Sequence, residues 1–303
     1  MLRSLSLGLV RLLAIMVLAG LLGATLMRIA PGFGSDEQQL NSSLSSQSIQ
    51  AIRQARLADS DIPRYYGHYF ASLMRGDLGI SQSLNQPVRD LLRERLPVTL
   101  RSIGIALSLA WFLGLALAMA GQLLNSTAFT FLTEGLSGTF ISTPAAVLAL
   151  LFVLLRLPPE LAAALLVFPK IYRYCHNLLH QSYGLPHVLT ARAKGAGRWR
   201  ILTWHVAPTA LPQLLALVGV SISIVIGVLL PIEVICDVPG IGQLAWQAAE
   251  SRDLPLLVNL TLVVAFVTVC ATMLSDAARL RFTPGPPTRA RFSRVVGWTR
   301  SAA

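Results

Sequence analysis

The chain has 303 residues, of which 54% are hydrophobic and 13% are charged, and its mean hydropathy is +0.61. A soluble globular domain carries about 25% charged residues. This composition therefore excludes a soluble domain and indicates a membrane protein. The net charge of +11 could suggest a protein that binds nucleic acid. However, the basic residues cluster beside long apolar runs, where they mark the cytoplasmic side of a membrane. A nucleic-acid partner is therefore not expected.

Six apolar runs are predicted to span the bilayer, which takes about 20 residues of helix. In chain order they lie at about 5–29, 97–121, 129–155, 161–180, 209–232 and 254–276. The first could be a secretory signal, but it is long and lacks a clear cleavage site, so we predict a retained span. The fourth is interrupted by Pro169, Lys170 and Arg173, and we expect its charged side chains to snorkel towards the cytoplasmic end.

The charge distribution predicts the orientation of these spans. The segment 177–207 and the tail after Asp276 contain basic residues and no acid, whereas the segment 233–253 is acidic. Because basic connections stay in the cytoplasm, six spans with both termini inside agree with this pattern. The sequence therefore predicts an all-α protein with six transmembrane helices.

The predicted organisation has four parts. They are a first transmembrane helix (1–29), an external, periplasmic region (30–95), a core with five transmembrane helices and a cytoplasmic loop at 183–207 (96–280), and a basic, disordered cytoplasmic tail (281–303). Within the external region, Val88, Leu91, Leu92 and Leu96 share one helical face behind Pro87. This amphipathic helix either lies along the membrane surface or belongs to an external subdomain.

The sequence contains few residues arranged for catalysis, nucleotide binding or metal binding. It contains neither a G-x-x-x-x-G-K-[ST] phosphate loop nor an H-E-x-x-H zinc motif. His176 and His180 could ligate a metal at their i, i+4 spacing, but no acid lies between Glu160 and Glu233 to complete the site. We predict no catalytic residue and no metal, and the two histidines are interpreted as a cytoplasmic helix end.

Intramembrane acids are also scarce, although proton- and ion-coupled transporters usually need them. Glu134 and Asp276 are the candidates, and both lie near the ends of predicted spans. The three cysteines, Cys175, Cys236 and Cys270, have no metal or disulfide spacing. An energy source outside this chain is therefore favoured.

The most informative segment is the loop between the fourth and fifth spans. It combines small residues with solvated basic ones, and a short helix ended by glycine suits docking into a partner's groove. The candidate residues are Thr190, Ala191, Arg192, Ala193, Lys194, Gly195, Ala196 and Gly197.

This loop resembles the cytoplasmic motif of binding-protein-dependent ABC importer permeases, written E-A-A-x3-G-x9-I-x-L-P. Gly195 takes the place of the motif glycine, and Pro208 that of its proline. Leu189 stands in place of the glutamate. The dipeptide, oligopeptide and nickel branch of the family typically reads T-A-R-A-K-G here, and residues 190–195 spell that string in full.

Further strings similar to those of this branch occur in the right order along the chain. They are R-I-A-P-G at 28–32, G-D-L-G at 76–79, R-E-R-L-P-V-T-L at 93–100 and P-G-I-G-Q-L at 239–244. The motif positions singled out are Pro31, Gly32, Asp77, Gly79, Pro97, Pro208, Pro239, Gly240 and Gly242. Two features depart from the branch: the connection between the third and fourth spans is very short, and the tail lacks a D-P-R-type ending.

The resemblance implies an ABC type I importer permease in a bacterial plasma (inner) membrane, which carries peptides or a similar small solute. Two cytoplasmic ABC ATPase subunits would grip the helix around 191–197, a second homologous permease chain would complete the pathway, and an extracytoplasmic solute-binding protein would deliver the solute. ATP and Mg would be bound by the ATPase subunits, and no cofactor by this chain. The basic tail can contact membrane lipid or the ATPase.

Two other classes of function remain open from the residues alone. One is an autonomous secondary transporter or channel, which would work without partner subunits. The other is a membrane enzyme that uses His176 and His180. No residue in the sequence indicates which solute is carried, and import rather than export follows from the resemblance.

Overall fold

The computed structural model describes residues 77–124 and 126–282, together with the single positions Leu18 and Thr25. The predicted first span, most of the external region and the tail from 283 onwards lie outside these residues. The helices of the described part are α1 (Val88–Leu124), α2 (Thr127–Ser142), α3 (Ala145–Leu154), α4 (Pro159–Tyr183), α5 (Pro186–Ala193), α6 (Arg198–Ile235), α7 (Ile241–Glu250) and α8 (Leu254–Phe282). Across this part of the chain, strand pairing is limited to one bridge between Ile80 and Pro87.

Three of these helices are long and apolar enough to cross a membrane: α1, α6 and the part Pro255–Arg279 of α8. The bent pair α2–α3 makes a fourth if it counts as one span. Helix α4 is 25 residues long, but Lys170 and Arg173 lower its apolar character. The all-α membrane fold is thereby confirmed, whereas the count of six spans remains a prediction.

The third predicted span, at about 129–155, is formed by two helices rather than by one continuous helix. Helices α2 and α3 meet at 94°, and Thr143 between them has an extended backbone (φ −79°, ψ 124°). Pro144 follows Thr143, and a residue that precedes proline is disfavoured in the α region by a clash with the proline ring. The apolar run therefore continues through the bend, but the helix does not.

Helix α1 joins the predicted amphipathic helix to the predicted second span without a break. Its 37 residues include Pro97. The apolar face at Val88, Leu91 and Leu92 is buried in a cluster with residues of α7 and α8, among them Leu244 and Leu256. We call this end of the molecule, formed by residues 77–96 and 237–260, the cap. Packing on protein supports the external-subdomain alternative for the amphipathic helix.

Helix α4 lies at the centre of the described bundle, where it packs against α1, α2, α3 and α6. Residues such as Val167, Ile171 and Tyr172 are almost fully buried on its core face. A Cβ atom at Gly114 of α1 would lie 2.9 Å from Ile171 Cγ2 and 3.0 Å from the backbone nitrogen of Tyr172. Glycine therefore allows α1 and α4 to approach this closely.

Helix α1 also connects the two ends of the bundle. At 1.5 Å per residue it is about 55 Å long. Its first turns belong to the cap, and its last turn meets the segment 189–200, because Arg198 Nη1 donates a 3.0 Å hydrogen bond to the carbonyl of Leu123. Helix α6 runs between the same two ends in the opposite direction, from Arg198 to Ile235.

Replacing Gly114 with valine is expected to destabilise the bundle, because the added methyl groups overlap Ile171 and the α4 backbone. Overpacking of this kind costs about 1–3 kcal/mol. Gly104→Val is the matched control, since a Cβ at Gly104 meets no heavy atom within 4 Å. Thermal unfolding in detergent should show a lower midpoint for Gly114→Val than for Gly104→Val. Equal midpoints would contradict the close contact.

Candidate coupling surface and cap

The predicted docking segment forms helix α5 with defined ends. Pro186 occupies the first turn, where its missing N–H leaves no hydrogen bond unmade. At the other end Gly195 adopts a left-handed backbone with φ +80°. The amide of Gly195 donates to the carbonyl of Arg192 (3.0 Å), and the amide of Ala196 donates to that of Ala191 (3.2 Å). This pair of bonds is the Schellman arrangement that ends many helices at glycine.

One face of α5 anchors it to the bundle. Val188 is fully buried and Ala191 nearly so, and α5 packs against α4 and the first turns of α6. There, Leu202–Val206 forms a π-helical turn. Pro208 follows directly, and it has no N–H to donate to the carbonyl of Trp204, which favours the wider turn.

The opposite face is exposed, and we call residues 189–200 the coupling surface. Leu189 is 50% exposed and Trp199 59%. The basic side chains are exposed as well, namely Arg192, Lys194, Arg198 and Arg200. Since the sequence has no acid from 161 to 232, this surface is cationic and suits an acidic partner surface.

Two polar contacts connect the coupling surface and α5 to the long helices. The bond from Arg198 to Leu123 satisfies a carbonyl in the last turn of α1, which has no intrahelical partner. His187 Nε2 lies 3.3 Å from the carbonyl oxygen of His205 in the π-helical turn of α6. The second contact joins α5 to α6, and the first joins the start of α6 to the end of α1, so a displacement of α5 acts on α6 directly and on α1 through α6.

The cap contains the other described motif positions. Gly79 has a left-handed backbone with φ +76°, and its amide donates to the side chain of Asp77 (2.9 Å). The carbonyl of Leu78 accepts a 2.9 Å hydrogen bond from Asn259 Nδ2 of α8. Residues 77–79 of the G-D-L-G string thus form a turn that is fixed to the start of α8.

A buried acid holds the same segment in place. Asp253 is fully buried at the start of α8, where its Oδ1 accepts from the amide of Leu256 (3.1 Å). Its Oδ2 accepts from the hydroxyls of Ser81 and Ser83 and from the amide of Ser83. Backbone donors at a helix N-terminus favour negative charge, so Asp253 bridges the two segments although it has no basic partner within 77–124 and 126–282.

A second buried acid explains the P-G-I-G string. Glu233, at the end of α6, is 1% exposed, and its Oε2 accepts a 2.7 Å hydrogen bond from the amide of Gly242 in the first turn of α7. The amide of Ile241 donates to Thr99 Oγ1 of α1 (2.8 Å). A Cβ at Gly240 would overlap the Glu233 carboxyl group. Glycine is required here for space, whereas Gly195 is required for its backbone conformation.

The structure therefore divides the predicted positions into two groups. Residues 190–197 and Pro208 lie at the coupling end, and Asp77, Gly79, Pro239, Gly240 and Gly242 lie in the cap. Pro97 lies inside α1 at the edge of the cap, while Pro31 and Gly32 fall outside the described residues. The two groups are separated by the length of α1.

Sequence reasoning missed two structural roles. It counted Glu233 and Asp253 only as charges of an external loop, whereas both are buried. A usable signal was present for Glu233, since the acid lies shortly before a G-x-G string whose small residues permit close approach. The rings of His176 and His180 stack with centroids 6.4 Å apart, and the described residues contain no cluster of three metal ligands.

Gly195→Ala should loosen the end of α5, because a left-handed backbone costs a residue with a side chain about 1–2 kcal/mol. The Ala196 amide should then exchange its hydrogen at least about fivefold faster, since 1.4 kcal/mol is a factor of ten. Gly197→Ala is the matched control, because Gly197 has φ −65° and both glycines have free space around them. Unchanged exchange in Gly195→Ala would contradict the helix end.

Gly240→Ala should destabilise the cap through its overlap with Glu233. If the overlap is the cause, Gly240→Ala should cost less stability in a Glu233→Ala background. Contacting residues typically show coupling energies of about 0.5–3 kcal/mol. A double-mutant cycle on thermal unfolding measures this coupling, and strictly additive effects would contradict the contact.

With this geometry in place, the chain was compared with known proteins. Residues 110–285 match the family model described as binding-protein-dependent transport system inner membrane component. A putative peptide transport system permease protein of Brucella suis biovar 1 (strain 1330) is 26% identical over 290 residues, which cover 86% of this chain and 91% of the relative. The oligopeptide transport system permease protein OppB of Escherichia coli (strain K12) is 27% identical over 260 residues, covering 79% and 84%.

The fold is also similar to that of a solved transporter chain. A chain of the MetNI methionine ABC transporter, solved in inward facing conformations, superposes with a TM-score of 0.60 at 16% identity. The match covers 68% of this chain and 100% of that one. At this identity the likeness concerns the fold alone.

Proposed function

The chain belongs to the family of inner membrane components of binding-protein-dependent transport systems, and from this membership we propose that it forms half of the translocation pathway of an ATP-driven ABC importer. It would act there as the membrane-spanning permease subunit. The proposed solute is a peptide or a similar small molecule, in keeping with the names of its relatives.

The coupling surface is the observation that carries this proposal. It is exposed and basic, and Gly195 ends its helix sharply. Through Val188 and Arg198 the same segment is attached to the long helices. In the proposed mechanism a pair of cytoplasmic ATPase subunits grips α5, and their closure on ATP moves α1, α4 and α6 together.

The proposed topology has six spans, with both termini in the cytoplasm. The basic coupling surface supports a cytoplasmic position for that end, by the positive-inside rule. The acids Asp237, Glu250 and Asp253 lie in the cap at the other end, which supports an external position for the cap. The bent pair α2–α3 would then count as one broken span, and α4 would cross the membrane inside the bundle.

The proposed assembly contains this chain, a second homologous permease, two ABC ATPase subunits and an extracytoplasmic solute-binding protein. ATP and Mg would bind to the ATPase subunits rather than to this chain. The solute-binding protein would dock on the cap, where the turn at 77–87 is bonded to Asp253 at the start of α8 and the first turn of α7 is bonded to Glu233 of α6. A rigid docking surface reduces the entropy lost on binding.

Gly195→Trp tests the docking assignment, because a bulky side chain at the end of α5 would block a groove of the ATPase. We expect loss of solute uptake and of solute-stimulated ATP hydrolysis in proteoliposomes containing the assembled complex, while the chain still inserts. Gly104→Trp, on an exposed part of α1, is the control and should retain both activities. Normal uptake by Gly195→Trp would refute the assignment.

The two alternatives make different predictions. An autonomous transporter or channel would move solute in liposomes with this chain alone under an ion gradient, whereas the proposed importer would not. A membrane enzyme would lose its activity when His176 and His180 are both replaced by alanine. The proposed importer should tolerate that double replacement in an uptake assay.

A further inference from the structure

The second half of α4 exposes a continuous stripe of polar side chains. We call this the α4 stripe, and its members recur at spacings of three and four residues: Lys170, Arg173, Tyr174, Asn177, His180 and Gln181. This spacing places them on one helical face. By contrast, the exposed side chains of α3 are apolar, as at Leu150 (59% exposed) and Leu154 (79%), which suits contact with lipid.

Lys170 and Arg173 lie in the middle part of α4, far from both of its ends. Lys170 is eleven residues from Pro159 and thirteen from Tyr183, so about 17–20 Å of helix separates it from either end. The two charges thus lie near the middle of the helix, and their placement towards the cytoplasmic side of the membrane stays a prediction. In the proposed topology, a charge at this place that faced lipid would be costly, so such residues face water or protein.

Arg173 is held in a defined orientation by α2. Its Nε donates a 3.1 Å hydrogen bond to Ser137 Oγ, and Ser137 is fully buried. Gly138 leaves space beside the guanidinium group, since a Cβ there would lie 3.7 Å from Nη2. Within 77–124 and 126–282, neither Lys170 nor Arg173 forms an ion pair. Arg173 is also exposed, so its guanidinium group is accessible to a solute.

We infer that the α4 stripe lines the translocation pathway and binds a carboxylate of an anionic solute. This inference depends on the proposed importer function, and it adds the chemical class of the solute. A guanidinium group offers two parallel N–H donors that match a carboxylate, and Lys170 adds a second charge one turn away. The C-terminal carboxylate of a peptide has this chemistry.

The length of the stripe favours a solute over a fixed protein partner. From Lys170 to Gln181 it covers about 17 Å of helix, and beyond Arg173 it continues as neutral or weakly basic side chains. Such a gradient suits release, because a pathway must bind its solute weakly enough to let it leave. The competing occupant is an acidic face of the second permease, and the experiments below distinguish the two.

The first experiment measures the charge of the surface without using the solute. In the assembled complex, Asn177→Cys is reacted with a negatively and a positively charged methanethiosulfonate reagent of similar size, and the unsubstituted chain gives the background of its native cysteines. The measured quantity is the ratio of the reaction rate of the anionic reagent to that of the cationic reagent. This ratio should be at least about tenfold higher at the cysteine introduced at 177 than for a free thiol in solution, as in other charged clefts. Lys170→Gln or Arg173→Gln should reduce this preference several-fold.

The matched control for these charge removals is Arg156→Gln, which removes an exposed arginine from the turn between α3 and α4. It should leave the preference for the anionic reagent unchanged. A cysteine at 177 that does not react, or that favours the cationic reagent, would overturn the inference, because the stripe would then be covered by an acidic partner.

The second experiment compares two probe solutes, trialanine and its C-terminal amide, in ATP-driven uptake. Arg173→Gln should lower uptake of the acid about tenfold or more, the usual effect of losing a charge-assisted hydrogen bond, and should change uptake of the amide little. Equal losses for both would overturn the inference. If the wild-type complex takes up neither peptide, the proposed peptide solute is contradicted, while the thiol experiment still decides the inference.

Discussion

The close approach of α1 and α4 at Gly114 is the constraint on which the rest of the bundle depends. Because glycine lets the α4 backbone lie against α1, α4 can be enclosed by α1, α2, α3 and α6. Only one face of its second half then remains open, and that face carries Lys170 and Arg173. The same contact holds α1 and α4 in fixed register, so that the last turn of α1 lies beside Arg198 of the coupling surface.

Hydrogen bonds to helix ends fix the two ends of the described bundle. In the cap, the buried carboxylates of Glu233 and Asp253 accept from amides in the first turns of α7 and α8. At the coupling end, Arg198 donates to a carbonyl in the last turn of α1. Each bond satisfies a backbone group that a helix leaves unpaired, and each joins a connecting segment to a long helix. Both ends can therefore move only together with the long helices.

The sequence predicted the helices that depend on local pattern. The bend, the surroundings of the charges in α4 and the buried acids depend instead on packing in the folded bundle. Apolar runs located α1, α6 and α8, and the small, basic string before Gly195 located α5. The break before Pro144 was not visible in hydropathy, because both halves of the run are apolar. The sequence also did not show that the charges of α4 share one exposed face with Tyr174, Asn177, His180 and Gln181. Glu233 was read as an external charge, since nothing local shows that Gly240 and Gly242 enclose it.

The α4 stripe and the coupling surface belong to one mechanical unit. Only Gly184 and Leu185 separate the last residue of α4 from Pro186 at the start of α5, and Val188 packs into the same core as the buried face of α4. A force applied to α5 by a partner therefore acts on α4 with little intervening chain to absorb it. In the proposed importer, closure of the ATPase subunits would thus reorient Lys170 and Arg173 as it moves the helix, and so link ATP hydrolysis to release of the bound carboxylate.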